Sequence, residues 1–343
     1  MSTQRASFPG RPTWESDFLP GYESLDLPLP DAARAAGEPP DVEMVGTLIR
    51  RVPTSSGRPD HSRAVLFLHG WNDYFFQTHV ADRIAELGFD FFALDLRRYG
   101  RSLRNGHLRG FITNLDDYAE EIDQAVEVIA ADHDGLVLMG HSTGGLIAAL
   151  WAASHPDKVV ALALDSPWLD LQGSAMVRAI GTPVVDALGR QAPTSIIPLP
   201  DLGFYARTLH ASLEGEWDYD LELKSSPSPP IRAGWLRAIR QGHQRVAAGL
   251  GLPMPVLVMA SAATEFARKW HEGLRSADTV LDVDQIVSRG ARLGRHVTIV
   301  RIDGGLHDLF LSPRPVREVA LFELERWLQA YAFEEPPVRV LAE

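Results

Sequence analysis

Gly135-Leu-Val-Leu-Met-Gly-His-Ser142-Thr-Gly-Gly-Leu-Ile-Ala-Ala-Leu150 passes from an apolar run into a glycine-rich turn and then into a helical pattern of small residues. That order predicts a strand, a sharp turn and a helix, with one serine at the switch. Gly140, Ser142 and Gly144 fit G-x-S-x-G, in which small neighbours let a serine sit on a strained turn and expose its hydroxyl above a sheet. The plainer reading of the same residues is a helix capped by Ser142.

On either side, apolar runs alternate with helical spacing. Residues 42–52 read as a first strand, ended by Pro53 and a polar turn, and residues 64–68 as the first internal strand, running into His69-Gly-Trp-Asn-Asp73. A helix over 77–87 and a strand over 89–94 follow, then Asp95-Leu-Arg-Arg-Tyr-Gly-Arg-Ser102. A helix over 115–132, opened by Asn114 or Asp116, leads into the serine strand. Beyond the serine helix, strands are expected at 159–164, 255–260 and 297–302, with helices at 286–293 and 316–331. Phe322, Leu324, Trp327 and Leu328 are expected inward on the last helix. Runs that are apolar throughout imply a parallel sheet covered on both faces, so the fold class is α/β.

The expected division is a core of residues 42–168 and 252–331, with 1–41 as an extension on or near it. Residues 169–251, rich in proline and aromatic residues, form a helical insertion that makes a plausible lid and pocket, and 332–343 form a tail.

With 343 residues the chain has room for a large core plus an insertion. The net charge of −12, with no Lys/Arg stripe, speaks against a nucleic-acid partner or a basic membrane-surface protein. The chain has no cysteine, which excludes disulfides, thiol catalysis and thiolate metal sites. The start lacks an apolar leader core and no segment approaches membrane-spanning length, so the simplest expectation is a soluble cytoplasmic protein. There is no H-E-x-x-H, EF-hand or Walker A pattern, nor a G-x-G-x-x-G in the first strand-turn-helix, so neither a metal nor a dinucleotide cofactor is expected. Arg97, Arg98, Arg101 and Arg104 could bind an anion, but such loop arginines more often pair with surface carboxylates.

A serine hydroxyl needs a base to take its proton, and the base needs an acid to orient it. Parallel strands end on one face, so both partners are sought at strand ends after Ser142. His307, in the glycine-supported loop after the last strand, suits the base. His296 lies at the wrong end of that strand, His243 and His271 lie in less ordered surroundings, and His141 is a neighbour at an elbow and points elsewhere. Asp278 is the first choice of acid in the order Ser, Asp, His; Asp282 and Asp284 are rivals, and Asp165 at its own strand end is another. The backbone N–H groups of Thr143 and Trp71 are the expected oxyanion donors, with Gly70 admitting the substrate and His69 bonding within the loop.

Taken together, Leu68-His-Gly-Trp71, Asp95 to Ser102, Gly140-His-Ser-Thr-Gly-Gly145, Ser276-Ala-Asp278 and Gly305-Leu-His-Asp308 resemble, in their order, the α/β-hydrolase superfamily. Within it they resemble the serine aminopeptidase S33-like group that includes monoacylglycerol lipases and lysophospholipases. The resemblance runs from about Val42 to Tyr331. It implies hydrolysis of carboxylic esters through an acyl-enzyme, with Ser142 as nucleophile, His307 as base and then acid, and Asp278 as the orienting carboxylate. It also implies a helical cap over an acyl pocket. Two departures stand out: Arg98 where the family often has glycine, and a long segment 261–276 before Asp278. Phe75 and Phe76 suggest an apolar entrance. An amidase or acyltransferase on the same fold, or a hydrolase-like binding protein without turnover, are the competing expectations.

Overall fold

The apolar runs form one nine-stranded sheet, seen in a computed structural model that describes residues 12–54, 59–171, 185–198 and 201–333. Outside these residues lie the start of the chain, the expected tail from residue 334 onward, and parts of the expected insertion, Pro183 and Pro200 among them. The strands are β1 (Glu15–Ser16), β2 (Tyr22–Pro28), β3 (Val45–Arg51), β4 (Arg63–Leu68), β5 (Asp90–Asp95), β6 (Gly135–His141), β7 (Ala161–Asp165), β8 (Val256–Ser261) and β9 (Val297–Ile302). Their spatial order is β1-β2-β3-β5-β4-β6-β7-β8-β9. From β5 to β9 every neighbouring pair is parallel, while β1 to β3 add an antiparallel edge.

Within the parallel strands, alternate residues serve opposite faces. Leu66, Leu68, Leu138, Leu162, Leu164 and Val258 pack on the side of α2 (Ala119–Ala130), α3 (Thr143–Ser154) and α6 (Val283–Gly290). Val65, Phe67, Val137, Met139, Ala163 and Leu257 pack on the side of α1 (Thr78–Glu86) and α7 (Arg314–Tyr331). Both sets are buried, which is why the sequence reads as apolar runs rather than alternation. The helix α3 is buried from Thr143 to Ala152, as expected of a helix without a polar face.

Two sequence expectations change. Residues 1–41 were expected to lie on or near the core, and Tyr22–Pro28 is part of the sheet itself, paired with β3 along its whole length. Phe322 is 56% exposed rather than inward. It lies two residues from Leu324, about 200° around the helix, so the two cannot share a face.

Between β7 and β8 the chain leaves the sheet. The described part carries α4 (Phe204–Leu209) and α5 (Ala233–Ala248). α5 buries Trp235, Leu236, Ile239 and Val246 in the cluster that holds α3. A separate apolar cluster of Tyr74, Phe76, Leu209, Tyr219, Leu306 and Leu311 joins this excursion to the loops after β4 and β9. It thereby sits over the ends of the strands. No helix among the described residues is long and apolar enough to cross a membrane.

Candidate active site

The turn after β6 places Ser142 at φ 53° and ψ −117°, a left-handed conformation that costs a non-glycine residue about 1–3 kcal/mol. The neighbours make room for it. A Cβ on Gly140 would lie 2.7 Å from the Gly144 carbonyl oxygen, and one on Gly144 would lie 2.3 Å from the carbonyl oxygens of Leu68 and His69. The turn is pinned to the end of β7: Ser142 N–H donates to the Asp165 carbonyl at 3.0 Å, and Trp168 N–H donates to the Ser142 carbonyl at 2.9 Å.

His307 follows β9. Its Nε2 is 3.0 Å from Ser142 Oγ and its Nδ1 is 2.9 Å from Asp278 Oδ2. A proton on Nδ1 satisfies both contacts, with the imidazole donating to the carboxylate and accepting from the serine hydroxyl. The loop is braced on both sides: Ser261 Oγ donates to the Gly305 carbonyl at 2.6 Å, and Leu306 N–H donates to Ser312 Oγ at 2.9 Å. Ser142, His307 and Asp278 are all buried.

The long segment 261–276 does not separate Asp278 from β8 in space. The chain returns to pair Asp278 with Thr264: Asp278 N–H donates to the Ala263 carbonyl, and Glu265 N–H to the Asp278 carbonyl, each at 2.9 Å. Asp278 Oδ1 accepts from the N–H groups of Val280 and Leu281 at 2.8 Å, which leaves Oδ2 for the histidine. The rivals stand elsewhere. Asp282 caps α6 by accepting from the N–H groups of Asp284 and Gln285, and Asp284 pairs with Arg301 on the surface. Asp165 Oδ2 lies 3.0 Å from His141 Nδ1, on the residue beside Ser142. Neither atom of that contact has hydrogen-bond geometry.

The loop after β4 holds Gly70 against Ser142, since a Cβ there would lie 3.2 Å from Ser142 Cβ. His69 Nε2 accepts from Leu96 N–H at 3.0 Å, so its Nδ1 carries the proton and donates to the Gly70 carbonyl at 2.8 Å. Because the peptide is planar and trans, fixing the Gly70 carbonyl on one side fixes the Trp71 N–H on the other. Thr143 is the first residue of α3, where an N–H has no partner within the helix.

The other polar residues take structural places. Burial, with Arg240 beside it, holds His243 down to about 3, so the ring is neutral. Arg97 pairs with Glu120 and Glu121, Arg101 with Asp17 and Asp95, and Arg104 with Asp26 and Glu43. Arg98, at φ 66°, adopts a backbone that favours glycine. Its buried guanidinium is held by Glu38 and by the carbonyls of Ala33 and Phe111. Burial raises Glu38, but Arg98 and the N–H groups of Ala35 and Leu108 outweigh it and hold the carboxyl at about 2.

Donor atoms of Asp73, His141 and Asp308 lie within 4.8 Å of one another, a spacing that suits a cation. Lys224 already supplies one, with its Nζ 2.8 Å from Asp73 Oδ1. Burial disfavours charge on His141, but Asp308, Asp165 and Asp73 together raise it well above an ordinary histidine. The sequence assigns no role to His141, Asp73 or Lys224; buried charge beside Ser142 leaves no local pattern.

A cavity of about 620 Å³ opens at Ser142 and His307. Its wall is apolar at Trp71, Leu202, Phe204, Phe266 and Val280, and polar at Asn72, Asp73, Lys224, Ser225 and Glu265 among others. Phe75 and Phe76 are not part of it: Phe75 packs under the sheet with Phe91, and Phe76 lies against Tyr74 and Tyr219. A larger cavity of about 1080 Å³ lies beside Trp14, Arg50 and Asp90 and touches none of Ser142, His307 and Asp278.

The sequence profile of the family described as Serine aminopeptidase, S33 matches residues 59–314. A monoacylglycerol lipase of Mycolicibacterium smegmatis is 26% identical over 278 residues, which cover 79% of this chain and 90% of that enzyme. Among solved structures, the monoacylglycerol lipase of Paleococcus ferrophilus aligns with a TM-score of 0.58 at 20% identity, covering 80% of this chain and 96% of that one. A thermostable carboxyl esterase of Bacillus coagulans, solved with glycerol, aligns with a TM-score of 0.60 at 15% identity, covering 91% and 99%. At such identities the structural likeness speaks for the fold.

Proposed function

The chain belongs to the serine aminopeptidase S33 family of α/β-hydrolases, and on that premise we propose that it hydrolyses carboxylic esters by a Ser142–His307–Asp278 triad. The observation that carries the proposal is the unbroken run of contacts, Ser142 Oγ to His307 Nε2 at 3.0 Å and His307 Nδ1 to Asp278 Oδ2 at 2.9 Å, at the mouth of a largely apolar cavity.

Ser142 Oγ attacks the acyl carbonyl while His307 Nε2 takes its proton, and Asp278 stabilises the imidazolium that results. The N–H groups of Trp71 and Thr143 receive the negative charge on the carbonyl oxygen. The ester C–O bond then breaks, and the departing alkoxide takes the proton from His307. A water attacks the acyl-serine, giving one proton to His307, which returns it to Ser142 Oγ as the carboxylic acid leaves. Residues 42–168 and 252–331, with Tyr22–Pro28 added to their sheet, act as the core, and 169–251 act as a helical cap whose aromatic and aliphatic side chains enclose the acyl chain. The apolar wall at Phe204, Leu202 and Phe266 supports an acyl ester, of the kind named for the lipase relatives, as substrate.

A series of p-nitrophenyl esters from acetate to laurate tests this reading. Turnover should rise with chain length until the cavity is filled and should be absent in Ser142→Ala. An inert wild-type protein, or turnover that survives Ser142→Ala, defeats it.

A further inference from the structure

Trp71 is followed by two polar residues, Asn72 and Asp73, that no step of the hydrolysis uses. Both reach across to the insertion between β7 and β8. Asn72 Nδ2 donates to the Ser225 carbonyl at 2.7 Å, and Asn72 Oδ1 accepts from the Ser225 N–H and hydroxyl, each at 3.2 Å. Lys224 Nζ donates to Asp73 Oδ1 at 2.8 Å, with both side chains buried. The ammonium also lies 5.5 to 5.7 Å from the ring centroids of Phe76, Tyr205 and Tyr219. One residue further, the Tyr74 hydroxyl accepts from Asp220 N–H at 2.9 Å. Three consecutive residues of the loop after β4 are therefore tied to residues 220–225.

Asn72 holds φ at 51°, a left-handed conformation that asparagine visits more readily than most residues. With both ends of its amide engaged by Ser225, that conformation is fixed from outside the loop. Trp71 N–H then lies between two anchors. From the sheet side, His69 holds the Gly70 carbonyl; from the insertion side, Ser225 holds Asn72.

We propose that Asn72 is a positioning residue: clamped to Ser225, with Asp73–Lys224 as a second tie, it holds the Trp71 N–H where the oxyanion develops, so that a working oxyanion hole requires a seated cap. The inference rests on the hydrolase reading above. A bond that only fastens the cap would alter stability or substrate affinity. A bond that aims an oxyanion donor alters kcat, because that donor is used most fully in the transition state.

The test compares wild type, Asn72→Ala, Asn72→Gly, Ser225→Ala and Ser142→Ala on p-nitrophenyl butyrate, with the rate of fluorophosphonate labelling and a thermal melt of each. Asn72→Gly keeps the left-handed backbone accessible while removing the clamp, so it serves even where the alanine variant fails to fold. Losing one oxyanion donor costs about 100-fold to 1000-fold, so a mispositioned one should lower kcat by about 10-fold to 100-fold in both Asn72 variants. KM should stay within about threefold, and labelling should slow in parallel, because the phosphonyl oxygen occupies the same hole. Ser225→Ala loses only the hydroxyl bond and keeps its backbone partners, so kcat should stay within about twofold. Wild-type kcat in Asn72→Gly, or raised KM with kcat untouched, overturns the positioning role while leaving the hydrolase reading intact. A wild-type protein that neither turns over nor labels defeats both.

Discussion

Two histidine–aspartate pairs lie side by side in this molecule, His307–Asp278 and His141–Asp165, with the imidazole centroids 4.9 Å apart. Both are buried at the ends of parallel strands. His307 meets Asp278 through one nitrogen and Ser142 Oγ through the other, and so forms a relay. His141 precedes Ser142 in the chain, but no hydrogen bond among the described residues joins its ring to Ser142 Oγ, and its 3.0 Å contact with Asp165 lacks hydrogen-bond geometry. It faces Asp165, Asp308 and Asp73, the last shared with Lys224. The contrast teaches that the loop carrying a histidine decides which partners it meets, and closeness along the chain to Ser142 does not.

The sharpest way to break this comparison is to remove members of each pair. Ser142→Ala and His307→Ala should each lower kcat by about 10⁴-fold or more, and Asp278→Asn by about 10³-fold to 10⁴-fold. Asp165→Asn should stay within about tenfold of wild type, since no reacting atom depends on it. Steady-state rates on a short soluble ester decide it; a loss in Asp165→Asn equal to that in Asp278→Asn would reverse the assignment of the pairs.

The next effect is on stability. His141→Asn leaves the buried carboxylates of Asp165, Asp308 and Asp73 with less positive charge among them, and should destabilise by about 3 kcal/mol, read from the urea midpoint. Labelling of Ser142 should persist in the folded variant.

A third effect follows pH. The three carboxylates raise His141 against the effect of burial, so it holds its proton more tightly folded than unfolded. Its contribution is fully present below about 6.5 and is lost as pH rises through the higher folded value. Burial raises Asp165 to about 7, so its contribution is lost earlier, as pH rises from the ordinary carboxylate range to about 7, and the alkaline part of the fall belongs to His141. The wild-type urea midpoint should therefore fall between neutral and alkaline pH, and the double variant His141→Asn, Asp165→Asn should fall less steeply.

The smallest effect is expected at Asp282. Asparagine caps a helix about as well as aspartate, so Asp282→Asn should change stability by a few tenths of a kcal/mol and leave kcat unaltered. A large loss of activity there would make Asp282, not Asp278, the orienting acid.

Much of this arrangement was legible in the sequence. The apolar runs gave β4 to β9, and the glycines around Ser142 marked the turn, because both follow from short-range sterics and burial. β2 was missed within a proline-rich and acidic stretch, although Tyr22, Leu25, Leu27 and Leu29 are all buried and the leucines alternate. Asp278 stays among rivals in the sequence because the excursion of residues 261–276 hides there what the pairing with Thr264 restores in space. Asn72 with Ser225 and Asp73 with Lys224 were beyond reach, since each tie joins residues about 150 positions apart and neither residue type announces a partner.

The central claim is that Ser142 is activated by His307 and not by its neighbour His141. Fluorophosphonate labelling followed by peptide mass mapping tests it most directly, applied to wild type, Ser142→Ala, His307→Ala and His141→Asn. The account predicts one adduct, on Ser142, in wild type and in folded His141→Asn, none in Ser142→Ala, and labelling slowed beyond detection in His307→Ala. An adduct that forms at the wild-type rate without His307, or that is lost in a folded His141→Asn protein, would contradict it.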